Sequence, residues 1–158
     1  MAYWTHYWKN STVRAHQANN EESDELLHTA DDTFEQRGVA IGDTVYVVTV
    51  LEGSVHLIGR LVVDQVLNQQ EADKYFGEPV WTAVDHLIGM QPLSQCQYDV
   101  SVPYSRLDEV IFVTSSGNDV IKFDQRDGAD PHAVDRQTLR GVRKITADTA
   151  ALFDSLLS

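Results

Sequence analysis

The chain has little of what secreted and membrane-spanning proteins need. Cys96 is the single cysteine, so no intramolecular disulfide can form, which suits a reducing compartment. No run approaches the roughly 18 consecutive apolar residues that cross a bilayer, and no charged-then-apolar leader opens the chain. These absences predict a cytoplasmic protein that is not secreted and does not enter a membrane.

Basic residues are also scarce. The 158 residues include 12 Lys and Arg against 24 Asp and Glu, which gives a formal net charge of −12. A charge of this sign repels nucleic acid and membranes when it is averaged over the whole surface. Length and composition predict one soluble domain over residues 1–158, with a C-terminal extension from about residue 124.

The few basic residues are not spread evenly. Residues 1–20 and residues 136–144 contain no acid, whereas residues 21–35 contain seven acids and neither Lys nor Arg. Two basic islands can hold phosphate groups locally, although two ordinary solvated faces would give the same pattern. The islands consist of Lys9 and Arg14 in the first stretch, and Arg136, Arg140, Arg143 and Lys144 in the second.

The two islands are expected to meet in the folded protein. Residues 136–144 precede a predicted helix that should pack back on the sheet containing the first strand. We therefore expect Arg14 and Arg140 or Arg143 to flank one concavity. The acids of residues 21–35 are expected on another face.

A long hairpin is the clearest structural prediction, over residues 42–68. A β-branched run follows Gly42-Asp43, and a second run returns after a short loop at Glu52-Gly53-Ser54. Gly59, on the inward face of the returning strand, permits a bend or a close approach. Such hairpins are typical of small barrels. The period-two alternation of the second run predicts four buried residues, Val55, Leu57, Leu61 and Val63.

The rest of the chain predicts short strands and short helices. Together they define a mainly β fold with short helices (α+β), a small β-barrel with peripheral helices. Strands are predicted at 3–9, 78–88, 110–113 and 120–123. Helices are predicted at 29–37, 71–76, 104–109 and 145–157, and loops at 17–27, 89–103 and 124–135.

The first strand is rich in aromatic residues. Alternation places Trp4, His6 and Trp8 on one face, opposite two tyrosines. Trp81 belongs to a different predicted strand, so Trp8 and Trp81 could form two walls of a slot for a stacked base or a methylated group. Core packing of all three indoles is the alternative. We expect Trp4 to be buried at mid-strand, and Trp8 to line a pocket at the strand end and not to sit in the core.

Few residues have the spacing of a catalytic or metal site. The Asp and His residues of 127–135 match no metal-ligand pattern and are interpreted as a solvated linker. Asp85 and His86 are neighbours on a predicted strand, so they point to opposite faces and cannot act as an acid–base pair. We find no serine nucleophile motif, phosphate loop or paired carboxylates. The sequence therefore predicts no catalytic residue, metal or cofactor.

Five short motifs occur in a characteristic order over roughly residues 1–88: Tyr3-Trp4, Gly38-Val39, Gly42-Asp43, Ile58-Gly59 and Pro79-Val80-Trp81. In this order they resemble the EVE domains of the PUA-like superfamily, which are relatives of the YTH and ASCH domains. The resemblance implies a small barrel that takes a modified or flipped base into a pocket between the ends of strands one and two. Carried over to this chain, it implies ligand-binding roles for Trp8, Asn10, Ser11, Thr49 and Leu51.

The chain also departs from that family. Tyr7-Trp8 replaces the Lys-Ser pair that usually closes strand one, and an acidic segment replaces the usual Trp-containing loop before strand two. Both changes affect which ligand is bound. The Gly-x-Lys-x-x-Glu signature of ASCH proteins is absent, which counts against a hydrolase.

Three functions stay open. The first is a non-enzymatic domain that binds DNA or RNA carrying a modified base. The second is an ASCH-like hydrolase of a modified nucleoside, for which only Lys9 is suitably placed. The third is a protein-interaction domain that keeps the barrel without a base ligand and meets its partner through the acidic face. In the first, Trp8 and Trp81 stack the base, Asn10 or Ser11 binds its polar edge, and Lys9, Arg14, Arg140 and Arg143 hold phosphates.

Overall fold

A computed structural model describes residues 1–19 and 24–158 of the chain. The strands within these residues are β1 Tyr3–Tyr7, β2 His28–Asp31, β3 Thr44–Leu51, β4 Ser54–Leu67, β5 Asp85–Gly89, β6 Gln95–Ser101, β7 Ile111–Thr114, β8 Gly117–Val120 and β9 Val142–Ile145. The α-helices are α1 Asn10–Asn19, α2 Phe34–Arg37, α3 Gln69–Phe76 and α4 Ala147–Leu157. Two 3₁₀ helices span Tyr104–Glu109 and Arg136–Leu139.

The strands form one curled, half-barrel sheet. Its order is β2-β5-β4-β3-β1-β9-β7-β8, and β6 pairs with β4 outside this path. Strand β1 runs parallel to β3 and antiparallel to β9, so the N-terminal strand lies in the middle of the sheet. The mainly β, barrel-like architecture with short helices confirms the predicted fold class.

The predicted hairpin is the longest in the described sheet. Strands β3 and β4 pair from Thr44↔Val62 to Leu51↔Ser54, and the four residues predicted to face inwards are all buried. A Cβ on Gly59 would lie 2.6 Å from the carbonyl oxygen of Gln95 on β6. The close approach predicted at Gly59 is therefore the contact between β4 and β6.

Alternation along β1 and β3 divides the apolar core into two clusters. Trp4 and Trp8 pack with Val45 and Val47 on one side of the sheet, and Tyr46 packs with residues of β7 and α4 on the other. The Trp4 indole Nε1 donates to the buried Oδ2 of Asp43 at 3.0 Å. Trp4 is buried as predicted, and it shares a face with Trp8.

Helix α4 confirms the predicted terminal helix. Thr146 caps its first turn by accepting the amide N–H of Thr149, and Leu152 and Phe153 are buried in the core. Strand β9 pairs with β1 just before this helix, within the basic stretch that carried no strand prediction. Because β9 leads directly into α4, the helix covers the side of the sheet on which Phe112 of β7 lies.

Several local predictions were wrong. The segment predicted as loop from residue 17 begins inside α1, and its residues 20–23 lie outside the described residues. Residues 29–37 were predicted as one helix, yet β2 occupies 28–31 because it pairs with β5, and only α2 is helical. The predicted loop 89–103 contains β6, and the predicted strand 78–88 is regular only from Asp85. In these cases pairing with distant strands overrides local propensity.

None of the described helices combines the length and the apolar composition that a bilayer crossing requires.

Candidate functional site

A cavity of about 470 Å³ opens where β1 ends, between α1 and β2. We call it the aromatic cavity. Its floor and walls combine indole, imidazole and hydroxyl side chains with one carboxylate. The side chains used below are Trp8, Trp81, His6, His16, His28, Thr29, Asp31, Lys9 and Ser11.

Trp8 lines this cavity and also belongs to the core. Its exposed fraction is 6%, its Nε1 donates to Thr29 Oγ1 at 3.0 Å, and its ring lies 5.0 Å from the His16 ring. The prediction that Trp8 lines a pocket is thus met, but the prediction that it lies outside the core is wrong. The reason is that α1 and β2 cover the end of β1, and neither element was predicted there.

Trp81 is the exposed wall, with an exposed fraction of 72%. Side chains hold the loop that carries it: Asp73 Oδ1 accepts the Val80 amide N–H at 2.9 Å, and Gln69 Oε1 accepts the Ala83 amide N–H at 2.8 Å. Gln69 Nε2 also donates to the Val80 carbonyl at 3.3 Å. Because both sides of Trp81 are bonded to α3, the indole is presented on a fixed loop.

One polar wall is built from His6, Thr29 and Asp31. His6 is buried, with Nδ1 2.9 Å from Thr29 Oγ1 and Nε2 3.6 Å from Asp31 Oδ1. The neighbouring His6, together with the hydroxyl and amide of Thr33, which both donate to Asp31, lowers the pKa of Asp31 to about 2. The cavity therefore contains an ionised carboxylate at neutral pH.

A second polar wall is a pair of histidines. His28 Nε2 lies 2.8 Å from Nδ1 of the fully buried His86, and the planes of the two rings differ by 13°. Burial, and then the neighbouring His86, lowers the pKa of His28 to about 4. His28 is therefore neutral at neutral pH. His86 in turn contacts Gln69, the residue that holds the Trp81 loop.

A second cavity, of about 650 Å³, adjoins the first. We call it the basic cavity. The prediction that the basic islands meet is confirmed, because Arg14 and Arg140 both line it. The two cavities have four lining residues in common, Tyr7, Lys9, Ser11 and Asp31, and Arg136 adds a further cation to the basic cavity.

Arg143 and the acidic segment lie elsewhere than expected. Arg143 does not line the basic cavity: its guanidinium donates to the Thr138 carbonyl at 2.7 Å and to Asp119 at 3.2 Å, 4.0 Å above the Phe112 ring. The expectation that the acids of 21–35 occupy another face is wrong for Asp31, which lines both cavities. Glu21 and Glu22 lie outside the described residues.

Thr49 and Leu51 line neither cavity. Thr49 is fully buried, and its hydroxyl donates to the Trp8 carbonyl at 2.7 Å while lying 2.9 Å from Asn10 Oδ1. It therefore fixes the turn between β1 and α1 from behind. Asn10 itself lines the basic cavity, and Ser11 lines both.

Sequence reasoning missed most of the polar wall. The missed residues come from β2, β5 and α3, which are brought together by the pairing of β2 with β5 and the packing of α3 near β5. The sequence does contain a His and an Asp close together at 28–31, which could have indicated a polar site. Because a helix was predicted there, these residues were not placed on a strand beside the cavity. Within the described ranges, no three His, Cys, Asp or Glu side chains are grouped so as to hold a metal ion.

Comparison of the chain with protein-family models, curated proteins and solved structures finds no significant match. The resemblance to EVE domains stays a prediction.

Proposed function

We propose that the protein is a non-enzymatic nucleic-acid-binding domain that holds a modified or flipped base in the aromatic cavity. The observation that carries this proposal is the junction of the two cavities. The aromatic cavity, which both Trp8 and Trp81 line, opens beside a cavity lined by Lys9, Arg14, Arg136 and Arg140. A nucleotide has the same two parts, a flat ring and an attached phosphate.

The aromatic cavity supplies stacking for the ring. Stacking of one base on an aromatic side chain is worth about 1–3 kcal/mol. Trp8 is fixed by its hydrogen bond to Thr29, and Trp81 by the bonds around its loop. The Trp8 ring and the backbone on both sides of Trp81 are thus ordered before a ligand arrives, which reduces the ordering entropy that opposes binding.

The basic cavity supplies phosphate contacts despite the net charge of −12. In the part of the chain that the structure describes, none of the four cations forms a salt bridge. One ionised carboxylate, Asp31, also lines this cavity, so the four cations leave it with an excess of positive charge for a phosphate. Charge-assisted bonds to phosphate are stronger than neutral ones. Backbone phosphate contacts would position the strand while the aromatic cavity selects the base.

A titration with short single-stranded DNA and RNA oligonucleotides tests the proposal. Each oligonucleotide carries one central base, either unmodified or methylated, and the tryptophan fluorescence of the protein reports binding. We expect quenching that saturates at low salt and is tightest for one modification. No binding to any oligonucleotide at low salt would contradict the proposal and favour a protein-interaction domain.

One observation favours a hydrolase as a second candidate. Lys9 lines both cavities, and His6 lies between Thr29 Oγ1 and Asp31, an arrangement in which an imidazole can move a proton. Incubation with modified nucleosides, followed by chromatography of the products, tests this candidate. Turnover that His6→Gln abolishes would replace the non-enzymatic proposal.

A further inference from the structure

The side-chain amide of Gln69 can be oriented in only one way. Its Oε1 accepts the Ala83 amide N–H at 2.8 Å, and its Nε2 donates to the Val80 carbonyl at 3.3 Å and to Asp73 Oδ1 at 2.9 Å. Rotating the amide by half a turn would set its NH₂ group against the Ala83 N–H and its oxygen against two acceptors. The atom that faces His86 is therefore the oxygen, at 2.9 Å.

This orientation fixes the hydrogen on His86. Its Nε2 is close to two acceptors, Gln69 Oε1 and the Ala83 carbonyl at 3.2 Å, so Nε2 carries the hydrogen. A buried charge costs free energy unless it is paired. With its hydrogen on Nε2, the fully buried His86 presents Nδ1 as an acceptor, and across the described residues no carboxylate oxygen lies within hydrogen-bond distance of the ring.

The hydrogen position on His86 determines the tautomer of His28. Its Nε2 must donate to His86 Nδ1, and the near-coplanar rings place that hydrogen in the plane of the acceptor lone pair. Nδ1 of His28 keeps its lone pair and has no partner in residues 1–19 and 24–158. It is not among the buried unpartnered atoms of those residues, so it is accessible, on a ring that lines the aromatic cavity.

We propose that His28 determines specificity in the aromatic cavity by accepting, at Nδ1, a hydrogen bond from an amino group on the edge of the bound base. This inference rests on the proposed function and names the ligand class more closely. Gln69 and His86 act as positioning residues, because they hold the hydrogen on the far side of the ring. The other polar group of the wall, the ionised Asp31, is also an acceptor.

A base that presents an amino group satisfies this acceptor. An analogue with hydrogen in place of the amino group leaves Nδ1 unpaired. Sites built around a hydrogen bond reject such analogues, and one neutral hydrogen bond is worth about tenfold in affinity.

The tautomer can be measured without a ligand. In the full-length ¹⁵N-labelled protein at pH 7, correlation spectra of the imidazole nitrogens distinguish a bare nitrogen from a protonated one. We expect His28 to carry its hydrogen on Nε2 and to have a bare Nδ1. A hydrogen on Nδ1 overturns the inference, whatever the protein binds.

Binding supplies the second test. The probes are single-stranded oligonucleotides in pairs that differ by one amino group: adenine against purine, cytosine against 2-pyrimidinone, and guanine against hypoxanthine. Wild-type protein should prefer the amino-bearing member of at least one pair by about tenfold. His28→Phe should lose that preference while keeping stacking and phosphate binding.

His132→Phe is the matched control, because His132 is an imidazole that lines neither cavity and stacks on the Tyr104 ring. It should keep the wild-type preference. No preference in the wild type, a preference unchanged in His28→Phe, or its equal loss in His132→Phe would overturn the inference. Failure of wild-type protein to bind any probe would overturn the proposed function itself.

Discussion

Replacing Trp81 by alanine should separate binding from stability. The side chain is 72% exposed, so little over a quarter of its surface is buried. An indole buries about 150–250 Å² when fully covered, so at roughly 25 cal/mol per Å² the folded state loses about 1–2 kcal/mol. For a chain of this size that lowers the Tm by a few degrees, on the order of 2–8 °C. Loss of one stacked base, about 1–3 kcal/mol, should weaken oligonucleotide affinity roughly 5- to 150-fold.

Tyr104→Ala is the control for this experiment. Tyr104 is 50% exposed, lies 4.0 Å from the His132 ring and lines neither cavity. It should lower the Tm comparably and leave affinity unchanged. Fluorescence titration and thermal unfolding of both variants give the comparison. Unchanged affinity in Trp81→Ala, or an equal loss in Tyr104→Ala, would refute Trp81 as a wall of the site.

Three further changes test the packing and the charges. Trp8→Ala should lower the free energy of unfolding by about 3–5 kcal/mol in a urea titration, because this indole is buried; a loss as small as that of Trp81→Ala would contradict its place in the core. Gly59→Ala should cost about 1–3 kcal/mol or more, because its Cβ would meet the Gln95 carbonyl at 2.6 Å; wild-type stability would contradict the β4–β6 contact. In the folded protein the pKa of His28 is about 4, below the ordinary 6.5. The unfolded chain therefore takes up the proton first as the pH is lowered, so the free energy of unfolding should fall between about pH 6.5 and 4. His28→Phe should reduce this loss, to which the burial-lowered pKa values of His16 and His56 also contribute, and should keep the loss between about 3.8 and 2 that Asp31 causes. An unchanged profile would contradict the burial of His28.

The sequence predicts the parts of the fold that local patterns determine. Period-two alternation is enough for the β3–β4 hairpin, because a slip of one residue would expose its apolar face. Helix α3 ends at Gly77 as predicted, and its Asn68–Glu71 capping box adds a local start signal. Thr146 likewise caps α4.

Elements set by distant partners could not be predicted in this way. Strand β2 exists because it pairs with β5, more than 50 residues further along the chain. Strand β6 needs the missing side chain of Gly59. Both segments lack strong alternation of their own.

The residues of the candidate site also fall into those that local sequence predicts and those that distant partners determine. Trp8, Ser11, Lys9 and Arg14 follow β1 directly in the chain, so a sequence reading finds them. The His28–His86–Gln69 chain joins three elements, β2, β5 and α3, and becomes visible only once they are placed together. Arg143 belongs to the second basic island, but its guanidinium contacts Asp119 and Phe112 and does not line the basic cavity. Its position could not be predicted from the sequence.

The salt dependence of oligonucleotide binding tests the central claim most directly. Each phosphate neutralised on a single strand contributes about −0.7 to the slope of log K against log salt, so the four cations of the basic cavity predict a slope of roughly −3. Arg14→Gln with Arg140→Gln should bring it to about −1.4. Arg37→Gln with Arg106→Gln removes the same charge away from both cavities and should leave the slope unchanged. A wild-type slope near zero, or equal slopes in the two double variants, would contradict binding of nucleic acid through this site.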